Sequence, residues 1–132
     1  MAQNATLFRL VPKIKGILIF YSIILVDLAI MLGKNRSSEN VLIAEISSHI
    51  SNFALSSMLM ALMSFIMLLQ GAPFRFVVWL GMLTILMNFI VEIFVSIMNT
   101  PDILDAFYGA IGVLFTGAMM YIFFKVGIRK TV

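Results

Sequence analysis

Four runs of apolar residues, each close to 20 residues long, dominate this 132-residue chain. A helix of that length crosses the roughly 30 Å hydrocarbon core of a bilayer, because each residue adds ~1.5 Å along the axis. Since 62% of the residues are hydrophobic and only 11% are charged, a soluble fold of this size would leave apolar surface facing water. We therefore predict an all-α polytopic membrane protein, a single four-transmembrane-helix antiparallel bundle over residues 1–132, with spans at approximately 14–32, 46–69, 76–98 and 103–126.

Positive charges gather at one end of the predicted bundle. Seven of the nine Lys and Arg residues lie at that end, namely Arg9, Lys13, Lys15, Arg75, Lys125, Arg129 and Lys130. Lys34 and Arg36 lie at the other end. Because short basic segments are retained in the cytoplasm, both termini are predicted to be cytoplasmic. This rule accounts for the basic charge, so the pI near 9.5 does not favour a nucleic-acid partner.

Two carboxylates, Asp27 and Glu92, lie inside predicted spans one and three. Counting residues from the outer ends places both roughly 10 Å deep, so we expect them in one layer. An ionised carboxylate in lipid costs ~2.5–3.5 kcal/mol on insertion scales. Each should therefore face the bundle interior and either find a partner or carry a proton.

Polar and small residues recur at spacings of three and four along helices two, three and four, which places each set on one helix face. The sets are Glu45, Ser48, His49, Asn52 and Ser56, then Thr84, Asn88, Glu92, Ser96 and Asn99, then Asp105, Gly109, Gly112 and Thr116. Glycines let helices approach closely in lipid, and we expect Asp105 to be drawn toward Glu92. His49, the only histidine, is the side chain whose charge changes nearest neutral pH. The candidate ligand-binding or proton-carrying residues are Asp27, His49, Glu92 and Asp105, supported by Glu45, Asn52 and Asn88.

Each of these residues also has a structural interpretation. Interhelical hydrogen bonds contribute ~0.6 kcal/mol on average, and we favour this role for Asn52 and Asn88. Asp102 and Asp105 can stabilise the N-terminus of helix four. Thr100 is its predicted N-cap, with Pro101 in the first turn.

The chain contains no cysteine, which excludes a disulfide, a thiolate nucleophile and a cysteine metal site. It also has no glycine-rich phosphate loop. We therefore predict no catalytic residue, no metal site and no cofactor, and expect that the protein is not an enzyme.

The start of helix two carries Glu45, His49 and Phe53 in the register of a D-K-x-x-H-x-x-x-Y pattern. Glu92 late in helix three is followed by Asp105, in the register of a D-x-x-x-N-x-x-G pattern that ends at Gly112. In these features the chain resembles the VanZ-like family over residues 45–112. It departs from the family at Ile46 for lysine, Phe53 for tyrosine and Gly109 for asparagine, and it lacks the arginine between glutamate and aspartate.

The resemblance implies a bacterial inner-membrane protein that acts in cell-envelope physiology and, in some members, lowers sensitivity to glycopeptide antibiotics such as teicoplanin. With the site residues, it predicts an outward-facing acidic pocket for a membrane-lipid headgroup or a proton. The alternative is an accessory or scaffold subunit of a larger membrane complex, or a homo-oligomer, with contacts around Phe94, Phe107 and Gly117. A small cation-coupled transporter is a third idea, but no broken helix or inverted repeat supports it.

Overall fold

The computed structural model describes residues 8–33, 41–94 and 102–130. These residues form four helices, α1 (Ile14–Gly33), α2 (Val41–Leu69), α3 (Phe74–Phe94) and α4 (Ile103–Val126), and two short strands, β1 (Leu10–Pro12) and β2 (Ile128–Lys130). All four helices are long and apolar enough to cross a membrane, which agrees with the prediction of four helices of that length and composition. The first loop and the part of the third predicted span at 95–98 lie outside the described residues.

Two helices begin earlier than the apolar runs indicate. Helix α2 begins at Val41, before the predicted span at 46, because residues 41–44 are apolar and the single charged residue Glu45 does not interrupt backbone hydrogen bonding. It ends in a Schellman motif: the amides of Gly71 and Ala72 donate to the carbonyls of Leu68 and Met67 over 3.0 Å. Gly71 adopts a φ of +87° there, a conformation that favours glycine. This tight turn lets α3 begin at Phe74.

The N-cap of α4 is Asp102, not the predicted Thr100. Asp102 has an extended backbone, and its side chain accepts a hydrogen bond from the amide of Leu104 over 2.9 Å. A carboxylate in this position satisfies one of the free amides of the first turn and faces the positive end of the helix dipole. Thr100 and Pro101 lie outside the described residues.

Helices α2 and α4 form the central pair of the bundle. Their contacts advance together along both helices, from His49 with Asp105 to Ser57 with Thr116, so the two helices run in the same direction. Gly112 lies directly against the backbone carbonyl of Phe53. This confirms that small residues on helix four permit close approach, and the close approach explains why α4 packs most extensively against α2 rather than against its sequence neighbour α3.

Helices α1 and α3 flank this pair, and each contacts both α2 and α4. The ring of Phe20 on α1 stacks on Phe65 of α2 with centroids 4.1 Å apart, and Phe65 contacts Phe123 of α4. On α3, Val77 is fully buried whereas Trp79 is 65% exposed. The core therefore lies between the helices, and large apolar side chains also cover the outside of the bundle.

Strands β1 and β2 pair antiparallel, with Val11 opposite Arg129, so the prediction of an all-α fold missed a small sheet. Three-residue strands are too short to show a period of two, and their pairing needs α1 and α4 to meet. They meet where the backbones of Gly16 and Gly127 touch. The amide of Arg9 also donates to the carbonyl of Leu69 over 3.0 Å. Strands β1 and β2 and the α2–α3 turn thus share one end of the bundle, here called the basic end.

Candidate functional site

The imidazole of His49 pairs with the carboxylate of Asp105 at the opposite end of the bundle. His49 Nδ1 lies 2.7 Å from Asp105 Oδ1, and the side chains of both residues are 10% exposed. Because a carboxylate oxygen accepts, Nδ1–H is the donor, which fixes the plane of the ring. The His49 ring also contacts Tyr108, with centroids 5.5 Å apart. The structure therefore brings together two predicted site residues from α2 and α4.

Two further carboxylates adjoin this pair. Asp102 Oδ2 lies 3.8 Å from His49 Nδ1, and Glu92 Oε2 accepts from the backbone amide of Asp102 at 3.4 Å. Glu92 thus contacts the residue that caps α4, whereas Asp105, which was expected to turn toward Glu92, has His49 as its hydrogen-bond partner. We call His49, Glu92, Asp102 and Asp105 the acidic cluster and the end that carries them the acidic end.

A small cleft borders the acidic cluster and has a volume of about 150 Å³. Glu92 and Asp105 line it, and its other lining residues are Asn52, Met87, Asn88, Val91 and Ala106. Met87 and Val91 are 47% and 44% exposed, so apolar surface borders the polar lining. We call this space the acidic cleft. Its carboxylates suit a cationic group, and its exposed apolar edge suits a hydrocarbon portion of the same ligand.

The predicted supporting residues divide between the cleft and the bundle exterior. Asn88 Nδ2 donates to Ser56 Oγ over 3.0 Å and so joins α3 to α2. The same amide packs against Gly109, where the asparagine of the VanZ-like pattern would find no space. Asn52 lines the cleft. Glu45 is exposed, and its backbone carbonyl accepts from Ser48, so its side chain does not contribute to the cleft.

Asp27 does not join the acidic cluster. It is fully buried, and its Oδ2 lies within hydrogen-bond distance of Ser57 Oγ, at 2.7 Å. Asn88 bonds to Ser56 at nearly the same level, and Glu92 lies four residues closer to the acidic end, which is ~6 Å along the helix. The prediction that Asp27 and Glu92 share one layer is therefore wrong. The residue count failed because it measured depth from predicted ends rather than from the neighbouring helices.

Sequence reasoning also missed the partners of Asp27. Ser57 Oγ lies 2.6 Å from Thr116 Oγ1 as well as 2.7 Å from Asp27, and all three residues are fully buried. The sequence placed Thr116 on the face of α4 that carries Gly109 and Gly112, but no sequence feature indicated that this face approaches α1. A usable signal was the spacing of seven between Ser57 and Ser64, both buried on α2, which marks a second polar face of that helix.

Comparison of the chain with protein-family models, with curated proteins and with solved structures gives no match. The interpretation of the acidic cluster therefore rests on its geometry.

Proposed function

We propose that this chain is a multi-pass protein of the bacterial inner membrane, an antiparallel four-helix bundle with both termini in the cytoplasm. Four apolar helices support the insertion. The pairing of β1 with β2 at the basic end supports a common side for the two termini, and that end carries the cations that the positive-inside rule assigns to the cytoplasm. The acidic end then faces outward.

Cysteine labelling tests this orientation, because the chain has no native cysteine. In intact spheroplasts, a membrane-impermeant maleimide should label Glu45→Cys at the acidic end and spare Val11→Cys in β1. Val11→Cys should react after lysis, since Val11 is 38% exposed. Labelling of Val11→Cys before lysis would indicate the opposite orientation, with the basic end outside.

We further propose that the acidic cleft binds the amine-bearing headgroup of an envelope lipid. The observation that carries this proposal is that Glu92 from α3 and Asp105 from α4 line one cleft that also has exposed apolar residues at its edge. Carboxylates attract an ammonium group through charge-assisted hydrogen bonds. The apolar edge of Met87 and Val91 favours an amphiphile over a soluble amine.

The size of the cleft restricts the ligand. Pockets for drug-sized molecules have volumes of roughly 300–1,000 Å³, whereas the acidic cleft offers about 150 Å³. It therefore suits a headgroup or a proton and does not suit a whole glycopeptide antibiotic. A role in glycopeptide tolerance, which the VanZ-like resemblance implies, would then act through envelope lipids rather than through direct capture of the drug.

Native mass spectrometry of the purified protein tests headgroup binding. We expect retention of phosphatidylethanolamine over phosphatidylglycerol, and a loss of about tenfold in that preference for Glu92→Gln, equivalent to ~1.4 kcal/mol. Glu45→Gln is the matched control, because it makes the same chemical change on an exposed side chain outside the cleft. Equal preference in wild type and Glu92→Gln would refute headgroup binding at this site.

A cellular assay tests the envelope role. Glu92→Gln and His49→Ala, each at normal protein level, are expected to change sensitivity to teicoplanin relative to wild type, with Glu45→Gln unchanged. Wild-type sensitivity in both variants would show that the acidic cluster does not contribute to teicoplanin sensitivity. Protein levels must be matched because loss of a buried polar partner also destabilises a bundle.

A second candidate function is that of a subunit in a larger membrane complex. An apolar groove of about 250 Å³ lies between α3 and α4 and is lined by Gly81, Gly117 and Ala118 among other residues. Gly117 has open space beside it, so a partner helix can approach closely there. A stoichiometric partner in mild detergent that is lost in Gly117→Leu and kept in Glu92→Gln would favour this function.

A further inference from the structure

Asp27 forms a second polar site that lies away from the acidic cleft. Its carboxyl group is enclosed by α1, α2 and α4 and has no exposed surface. One oxygen, Oδ2, contacts Ser57 Oγ, which in turn contacts Thr116 Oγ1. The other oxygen, Oδ1, is buried without a hydrogen-bond partner. Three helices therefore meet at a short chain of oxygen atoms with one unused acceptor.

An ionised Asp27 would have no Lys or Arg close to it along the three described helices that enclose it. After Lys15, α1 contains no Lys or Arg, α2 contains none, and α4 contains none before Lys125. The titratable group nearest along α2 is His49, eight residues or ~12 Å from Ser57. On α4, Tyr121 and Tyr108 lie five and eight residues from Thr116, and on α1, Tyr21 lies six residues from Asp27. A tyrosine supplies no positive charge. Lys34 and Arg36 follow α1 outside the described residues.

The hydrogen bonding is also insufficient for a carboxylate. An ionised Asp27 would receive a hydrogen bond from one neutral hydroxyl, that of Ser57, whereas buried carboxylates require several donors or a cation to offset the loss of hydration. An unpartnered oxygen that carries half a negative charge adds to this cost. An uncharged carboxylic acid removes most of the cost, since its unpartnered Oδ1 becomes an ordinary carbonyl oxygen.

The distances along this chain of oxygen atoms are those of hydrogen bonds. The two contacts of Ser57 Oγ measure 2.7 Å and 2.6 Å, which are typical of O–H···O hydrogen bonds. A proton on Asp27 Oδ2 donates to Ser57, and the Ser57 hydroxyl then donates to Thr116.

We propose that Asp27 is a proton-binding site whose neutral acid, through Ser57 and Thr116, holds α1 against α2 and α4. Loss of the proton reverses the chain of donors: Thr116 then donates to Ser57, and Ser57 donates to a buried carboxylate. The uncompensated charge draws Asp27 toward water and weakens the attachment of α1. High pH therefore loosens α1, and low pH holds it in place. This site acts independently of headgroup binding at the acidic cleft.

Infrared spectroscopy with ¹³C-labelled aspartate tests the protonation state. The protein is reconstituted in vesicles of phosphatidylethanolamine and phosphatidylglycerol at pH 7. We expect a carboxylic-acid C=O band that shifts with the isotope and is missing in Asp27→Asn. If instead the wild-type-minus-variant spectrum shows only carboxylate bands, the proposal is overturned. Should Asp27→Asn fail to accumulate, the double variant Asp102→Asn/Asp105→Asn leaves Asp27 as the only labelled aspartate.

Thiol accessibility tests the consequence for α1. Ile23 is 2% exposed and lies one turn before Asp27, so Ile23→Cys reports whether α1 stays docked. The labelling rate of Ile23→Cys is compared between the wild-type and Asp27→Asn backgrounds at each pH. The ratio of the two rates should increase several-fold over the pH range in which the acid band disappears. The Asp27→Asn background cancels the intrinsic pH dependence of the thiol. A constant ratio through the loss of the acid band would overturn the attachment role.

Discussion

His49 Nδ1 and Asp105 Oδ1 lie 2.7 Å apart and join α2 to α4 at the acidic end of the bundle. This bond connects two helices that are adjacent in space although α3 separates them in sequence. Asp102 and Glu92 adjoin the pair, so the bond also shapes the cleft next to it. Its strength is open to direct measurement.

We predict that His49 and Asp105 are energetically coupled. His49→Ala and Asp105→Ala should each lower the free energy of unfolding, because each leaves a buried partner unsatisfied. A double-mutant cycle, measured by unfolding in detergent, should give a coupling energy of about 1–3 kcal/mol. Additive losses would show that the 2.7 Å contact contributes nothing specific.

The effect of a glycine substitution on α4 on stability should depend on the space beside that glycine. Gly112→Ala places a methyl group against the carbonyl of Phe53, so we expect a loss of ~1–3 kcal/mol in stability. Gly117→Ala is the matched control on the same helix, since nothing lies within 4 Å of its added carbon. It should be neutral or slightly stabilising. Equal melting temperatures for both variants would contradict the close α2–α4 packing.

The terminal sheet predicts a disulfide between engineered cysteines. Val11→Cys and Arg129→Cys lie opposite each other in the antiparallel register, and facing Cα atoms at ~4.5–5.5 Å are within disulfide range. Oxidation should therefore produce a faster-migrating species on non-reducing gels. Val11→Cys with Ile103→Cys, at the opposite end of the bundle, should form none. Crosslinking of both pairs alike would argue against this register.

Serine substitutions on α2 should separate the buried hydroxyl chain from the helix surface. Ser57→Ala removes the hydrogen-bond partner of both Asp27 and Thr116, so stability should fall by about 1–3 kcal/mol. The control is Ser48→Ala, where the lost hydroxyl bonds only to the carbonyl of Glu45 in its own helix. Its effect should lie within about 0.5 kcal/mol. Thermal unfolding in detergent measures both, and a silent Ser57→Ala would contradict a role in holding α1.

The elements of the fold follow largely from local pattern. Apolar runs predict the four helices, and the predicted start of the fourth at Ile103 agrees with the start of α4 in the structure. The N-cap was misplaced because threonine and aspartate are both good caps, and the cap is identified by the hydrogen bond from the Leu104 amide to the Asp102 side chain. The β1–β2 pairing has no local signal, since its two strands lie more than 110 residues apart in the chain.

The candidate site was only partly predictable. Spacing placed Asn52 on the face of α2 that carries His49, and His49 meets Asp105, but Glu45 from the same predicted face is exposed. The pattern on a single helix does not say which face of another helix it will contact. Asp27 was therefore grouped with His49, Glu92 and Asp105, and Ser57 was not considered as its partner.

The sequence by itself determined the helical, apolar character of this chain and the segregation of its charges. Both depend on residue type and on the position of each residue along the chain, and neither depends on how the helices pack. Only the tertiary structure decided that α2 and α4 form the central pair and that the buried acids divide between two levels. The physical reason is that helix rotation and axial offset are set by steric fit, such as Gly112 against Phe53. That fit is a property of two surfaces together, and neither helix encodes it alone.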